Sequence, residues 1–294
     1  MAILRDLFDV VNALMLFSAM FALGLGESVQ GLRHLWGQRG LLLRSLLAIY
    51  VLVPLVAVLV AGTMPGLPPA AVAGILFMGA AGSAPFVVRK AVSKVHTSAE
   101  YAVSLQITTA SLAIVTVPIT LLLLPGDWRV SPLEVAWQVF RAQLVGLGLG
   151  VLVHELRPAI AARLMRPFAA IASLLLALEV LVAAVLIVPR LLPRLNGMAV
   201  LAMAVVIVIS IAIGHLLGGP RPDTRVSLGL LTATRNLGLA LMIAGANLEE
   251  PIRLPAMGMI LTYTLVSQIL HLPYLFWCKR TAKRRASKPR SAAA

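Results

Sequence analysis

The stretch "TATRNLGLALMIAGAN", residues 232–247, sets Arg235 and two asparagines, Asn236 and Asn247, inside an otherwise apolar run of membrane length. An arginine at the centre of a bilayer costs about 2.5–3.5 kcal/mol on insertion scales, so an idle one is improbable. Its guanidinium stays protonated at any working pH and presents a planar fork of N–H donors. It can brace carbonyls freed by a broken helix, bind the anionic group of a substrate, or pair with Glu179, the only acid deep inside an apolar run. Arg141 and Gln143 offer Glu179 a different partner. Thr232, Thr234 and Asn236 flank the arginine. Ser83, Pro85 and Gln106 form a second polar group in earlier runs, and they complete the residues expected to line a cavity or meet a substrate. For Gln106 and Thr109 the plainer role is a hydrogen bond between neighbouring helices.

Such residues need elements to hold them, and composition says which. Of 294 residues, 60% are hydrophobic and 12% charged, with a mean hydropathy of +0.96. A soluble domain of this length carries far more polar surface. Nine apolar runs are long enough to span a bilayer: 7–25, 41–61, 70–88, 101–124, 135–153, 168–188, 198–217, 227–246 and 256–277. The chain is therefore predicted to be an all-α membrane protein with nine transmembrane helices. The net charge of +14 does not point to nucleic acid, because the basic residues lie in short clusters between apolar runs. Seventeen fall in alternate connections and the tail, against five in the opposite connections (Arg5, Arg129, Arg190, Arg194 and Arg253). That bias puts the N-terminus outside and the C-terminus in the cytoplasm, as an odd number of spans requires. The first run lacks a basic leader segment and reads as a retained span. Cys278, the single cysteine, excludes an intramolecular disulfide and a cysteine-based metal cluster.

The third and eighth runs are interrupted. Gly79, Gly82, Ser83 and Pro85 interrupt the third, and Asn236 and Gly238 weaken the eighth. Backbone freed at membrane depth must be satisfied by protein, water or ligand, so both breaks are expected to face the interior and to cross near the midplane. Two interrupted helices of opposite direction, in corresponding places of two halves, point to a transporter built from inverted repeats. The expected division is a first four-helix repeat over 1–124, an unpaired fifth span over 125–160, a second repeat over 161–278 and a basic cytoplasmic tail over 279–294. His215, His271, Asn12 and Asn247 lie near run ends and are expected at the interface, while Arg89 and Lys90 mark the cytoplasmic edge of the third run.

In order and spacing, four segments resemble the bile acid:sodium symporter family: "LMLFSAMFALGLGES", "GSAP", "SAEYAVSLQITTASLAIVTVPIT" and "RNLGLALMIA". The resemblance covers most of the chain. It implies a core domain with two broken, crossing helices, a panel domain that rocks against it, and sodium-driven transport of carboxylated or amphipathic anions. At the second break the family usually reads Glu-x-Gly-x-Gln-Asn-x-Gly, whereas this chain has Leu231 in place of the carboxylate and Arg235 in place of the amide. At the first break Ser83 matches, but Ala84 replaces an asparagine. The hydroxyls of Ser104 and Thr108 remain, so Ser83, Ser104 and Thr108 are the residual sodium-site positions. A hard cation needs several oxygen ligands, and a fixed guanidinium beside the vacancy repels it. Arg235 then reads as a tethered cation, and steep sodium dependence is not expected.

The expected function is secondary transport of a small organic anion across the plasma (inner) membrane, with no organic cofactor. Membrane lipid is the other expected partner, including anionic lipid for the tail. An enzyme is disfavoured: the chain has no H-E-x-x-H, no Gly-rich phosphate loop and no nucleophile with an evident base. A channel or a non-transporting scaffold built on a transporter fold is the principal rival.

Overall fold

Four of the helices begin on a proline, whose missing N–H and fixed φ suit the first helical position. The computed structural model describes residues 2–26, 35–84, 98–126, 131–186, 196–249 and 251–286. It is helical almost throughout: α1 (Ala2–Leu25), α2 (Arg39–Thr63), α3 (Pro69–Ala80), α4 (Ala99–Leu123), α5 (Pro132–Leu156), α6 (Pro158–Leu186), α7 (Gly197–Leu217), α8 (Pro222–Ala233), α9 (Leu237–Asn247) and α10 (Arg253–Ala286). Elsewhere side chains cap the start. Ser98 Oγ accepts from the Tyr101 N–H at 3.3 Å, and Asn196 Oδ1 from the Met198 N–H at 3.0 Å.

Six helices, α2, α4, α5, α6, α7 and α10, are long and apolar enough to cross a membrane. Three shorter apolar helices, Val10–Leu25, Pro69–Ala80 and Leu237–Asn247, overlap the first, third and eighth runs. The chain is an integral membrane protein. Two boundaries differ from the hydropathy reading. Helix α6 starts at Pro158, so Arg163 and Arg166 ride on its opening turns rather than in a loop. Helix α10 continues to Ala286, carrying the first basic residues of the tail on helix. Arg89, Lys90 and Lys94 lie outside the described residues.

Helices α1, α5 and α6 pack chiefly on one another, and the largest hydrophobic core is built from α2, α3, α4 and α7–α10 together with Val135 and Val139 of α5. Small residues let α1 and α5 approach backbone to backbone, the usual device where lipid removes any hydrophobic drive between helices. A Cβ on Gly150 would strike the Phe21 carbonyl and lie 2.9 Å from Leu25 N, whereas one on Gly148, on the same helix, meets nothing within 4 Å. Gly150→Ala is accordingly expected to cost about 1–3 kcal/mol through overpacking. Gly148→Ala is expected to be neutral or mildly stabilising through helix propensity. Melting of the two purified variants in detergent separates these outcomes.

Candidate functional site

Both breaks are set by local chemistry. Helix α3 stops where Gly82 takes φ +69°, a left-handed conformation that closes helices and that glycine adopts without a steric penalty. Helix α8 stops at Thr234, whose backbone is extended, and α9 restarts behind Asn236, whose Oδ1 accepts from the Leu239 N–H at 3.2 Å. Asn236 is thus an N-cap.

The two breaks meet. Ser83 and Arg235 form an isolated antiparallel bridge: Ala84 N donates to Thr234 O at 3.0 Å and Asn236 N to Gly82 O at 3.1 Å. Each broken segment thereby satisfies the other. Gln106 of α4 closes the first break from the side, donating through Nε2 to Ser83 O at 2.9 Å and accepting from Ser83 Oγ at 3.3 Å. Thr109 Oγ1 lies 3.4 Å from the same hydroxyl. Pro85 lies outside the described residues.

Arg235, 2% exposed, turns back onto the carbonyl end of α3. Its Nε donates to Met78 O at 2.9 Å, its Nη2 to Gly79 O at 2.5 Å, and Nη1 and Nη2 to Ile49 O at 3.5 Å. Helix α2 accounts for the last acceptor. A π turn over Ala48–Leu52 sends the Val53 N–H to Ala48 O, and the next residue, Pro54, has no N–H. The Ile49 carbonyl is therefore left without its helical donor. The guanidinium thus sits where the dipole of α3 is negative and where carbonyls need donors, an arrangement favourable for a cation. The Tyr50 hydroxyl donates to Thr109 O, which ties α2 to α4 beside this point.

Glu179 is not the partner of Arg235. It is 1% exposed, and neither carboxyl oxygen has a hydrogen-bond partner. Arg141 and Gln143 do not take that place either. Arg141 stacks over Trp137 at 5.6 Å, and Gln143 Nε2 is itself without a partner. Arg235 satisfies its donors on backbone, and Glu179 stands alone.

The remaining sequence candidates disperse. Thr232 directs its hydroxyl to Ser210 O of α7 at 2.7 Å and to its own helix, away from the crossing. Thr234 Oγ1 lies 3.3 Å from His271 Nε2. Thr108 Oγ1 donates to Ser104 O at 2.8 Å and accepts from Trp36 Nε1 at 3.2 Å. Ser83 thus bonds with Gln106 and Thr109 of α4, the helix that also carries Ser104 and Thr108, and among the described residues no cluster of His, Cys, Asp or Glu has metal-binding spacing.

Two residues expected at the interface are buried within the protein. Asn12 is buried, with Nδ2 donating to Gly238 O at 3.0 Å, and His271 is buried between Thr234 and Ser267. Both sit near run ends in sequence, but each lies against a broken helix, where it finds a polar backbone or hydroxyl partner. Asn12 also borders a cavity of about 650 Å³ between α1, α5 and α9, lined by Phe17, Gln138, Arg141, Met242 and Ala246 among others. Arg235 is not in its lining. Sequence reasoning offered Arg141 only as a partner for Glu179. Its place beside Trp137, one helical turn away, was the available hint of a cation held at an aromatic face.

A family model described as the Sodium Bile acid symporter family matches residues 13–217. The chain belongs to that family. The matched residues include the first break and the π turn of α2, and they end before α8 and Arg235. No curated protein matches the chain. Membership of the sodium bile acid symporter family makes it a member of a membrane-transporter family, and the geometry above describes how this member fills the crossing.

Proposed function

We propose that the protein is a secondary transporter of a small organic anion, working by alternating access and without a mobile sodium ion at the crossing. One observation carries this reading: a buried guanidinium donates to the carbonyl end of one interrupted helix from the break of the other. Carbonyl ends of half-helices are where transporters of this construction hold a driving cation. A covalently attached charge at that point supplies the same electrostatic complement and cannot leave.

The arginine therefore braces the crossing, and its donors are committed to backbone rather than to substrate. The substrate's charge is met instead in the cavity beside α1, where Arg141 supplies a cation and Asn12, Gln138 and Phe17 supply a mixed polar and apolar wall. A volume of about 650 Å³ lies inside the range usual for small-molecule sites. The rest of the proposal is a nine-span chain in the plasma (inner) membrane, N-terminus outside and C-terminus in the cytoplasm. Four-helix repeats over 1–124 and 161–278 flank a fifth span.

The test is exchange in proteoliposomes. Cholate and a series of smaller carboxylates are loaded and offered outside, first in sodium and then in potassium with no sodium. Saturable, trans-stimulated exchange at equal rates in both media is the expected result. Exchange that strictly requires sodium would overturn the tethered-cation reading. Non-saturable flux would instead indicate a channel, and no flux of any anion would indicate a scaffold.

A further inference from the structure

Glu179 remains unexplained by anything above. It lies in the second half of α6, on the face where Leu176 and Val180 pack against the main core and Leu175 packs against Met15, Leu16 and Ala142. Its surroundings are thus apolar, and both oxygens lack a hydrogen-bond partner. On the helices that pack with α6, Asn12 Oδ1 of α1 and Gln138 Oε1 and Gln143 Nε2 of α5 are likewise buried without a hydrogen-bond partner. An ionised carboxylate without a partner in such a place is far more costly than a neutral carboxylic acid.

Charged and titratable residues on the packed helices do not repair this. Helix α6 packs on α1, α5 and α10. Helix α1 has Arg5, Asp6 and Asp9 in its opening turns, α5 has Glu134, Arg141, His154 and Glu155, and α6 itself has Arg163 and Arg166. Helix α10 carries Arg253, Tyr263, His271, Tyr274 and Cys278, followed by the basic residues of its last turns. His154 bonds to Leu25 O, Arg253 to Leu248 O, and His271 to Thr234 and Ser267. Among the described residues none is a partner of Glu179.

Position gives the group a use. Helix α6 packs mainly on α1, and Glu179 lies beside Leu176 and Val180, the residues through which α6 reaches the largest core. A shift of α6 against that core would change the surroundings of this carboxyl. Arg235 keeps its charge in every state and so cannot carry an ion across.

We propose that Glu179 is a proton-binding site and that one proton crosses with each monovalent anionic substrate. The inference rests on the transporter reading given above. On one side of the membrane the carboxylate takes up H⁺ and becomes a carboxylic acid. On the other side the O–H bond breaks, the proton enters water and the carboxylate is restored. One H⁺ and one monovalent anion leave no net charge to move, so the cycle is electroneutral.

Two measurements on the full chain test this. The first uses the proton alone: an infrared pH titration of the purified protein is expected to show a protonated-carboxyl C=O band that disappears on alkalinisation. The band should be absent from Glu179→Gln and restored, shifted, in Glu179→Asp. Absence of the band from the unmodified protein, or its persistence in Glu179→Gln, overturns the proposal whether or not any anion is carried. The second uses whichever carboxylate exchanges in liposomes. An inside-alkaline gradient should drive accumulation of about tenfold per pH unit, unaffected by a potassium diffusion potential. Glu179→Gln should keep exchange and lose the gradient response. Exchange that ignores the gradient in the unmodified protein rejects proton coupling while leaving the transporter reading intact. Gradient-driven uptake that survives in Glu179→Gln rejects this residue as the site.

Discussion

Replacing Arg235 with glutamine is expected to abolish transport and to destabilise the protein by about 3 kcal/mol or more. The change removes the donors that reach Met78 O, Gly79 O and Ile49 O, and one amide replaces at most one of them. Each buried acceptor left without a donor costs about 1–3 kcal/mol. Relief from burying a guanidinium works in the opposite direction. That relief offsets part of the loss, so about 3 kcal/mol is expected rather than the upper sum over the orphaned acceptors. At about 2–4 °C per kcal/mol for a chain of this size, melting in detergent should fall by on the order of 10 °C. Arg235→Lys keeps the charge and loses the planar fork, so it should fall between the two. Because Glu179 is not paired with Arg235, adding Glu179→Gln should not rescue the arginine variant. Rescue of folding and transport together would show that the two residues form a pair in the membrane. Unchanged melting and exchange in Arg235→Gln would remove the brace altogether.

The second large effect is expected at Gly214, where α7 lies against α8 just before the second break. A Cβ there would strike Thr232 Oγ1 and lie 2.5 Å from Leu228 O and 2.7 Å from Gly229 Cα. Carbonyl and Cα cannot swing aside as the end of a side chain can, so Gly214→Leu must push α8 bodily away from α7. Overpacking of this kind typically costs about 1–3 kcal/mol, occasionally more. Here it also displaces Thr234 and Asn236, whose backbone groups hold the first break. Transport should therefore fall further than stability does. Gly214→Ala is the milder variant and should retain part of both. Near-normal exchange by Gly214→Leu would mean that the crossing tolerates movement of α8, against the bridge between Ser83 and Arg235 as a fixed part of the machinery.

Several features were legible in the chain itself because their physics is local. Hydropathy over about twenty residues sets which segments enter a bilayer, and that needs no knowledge of neighbours. Helix ends are equally local: a glycine that accepts positive φ stops α3 at Gly82, and an asparagine that caps its own helix restarts α9 at Asn236. The oddity of Arg235 was visible too, since the cost of its charge depends on depth alone.

Bracing freed carbonyls was one of three roles the sequence left open to the arginine; which carbonyls it meets was not visible, because they come from far along the chain: Met78 is 157 residues away and Ile49 is 186. The freed Ile49 carbonyl depends on a π turn running into Pro54, and only packing brings that turn beneath the crossing. Glu179 was assigned partners by charge, yet tertiary structure left it among Leu175, Leu176 and Val180, helix neighbours packed against apolar cores. Asn12 and His271 moved from expected interface to buried contact for the same reason. Sequence position fixes how far along its helix a residue lies, but a polar side chain's partner depends on which backbone the neighbouring helices have left open.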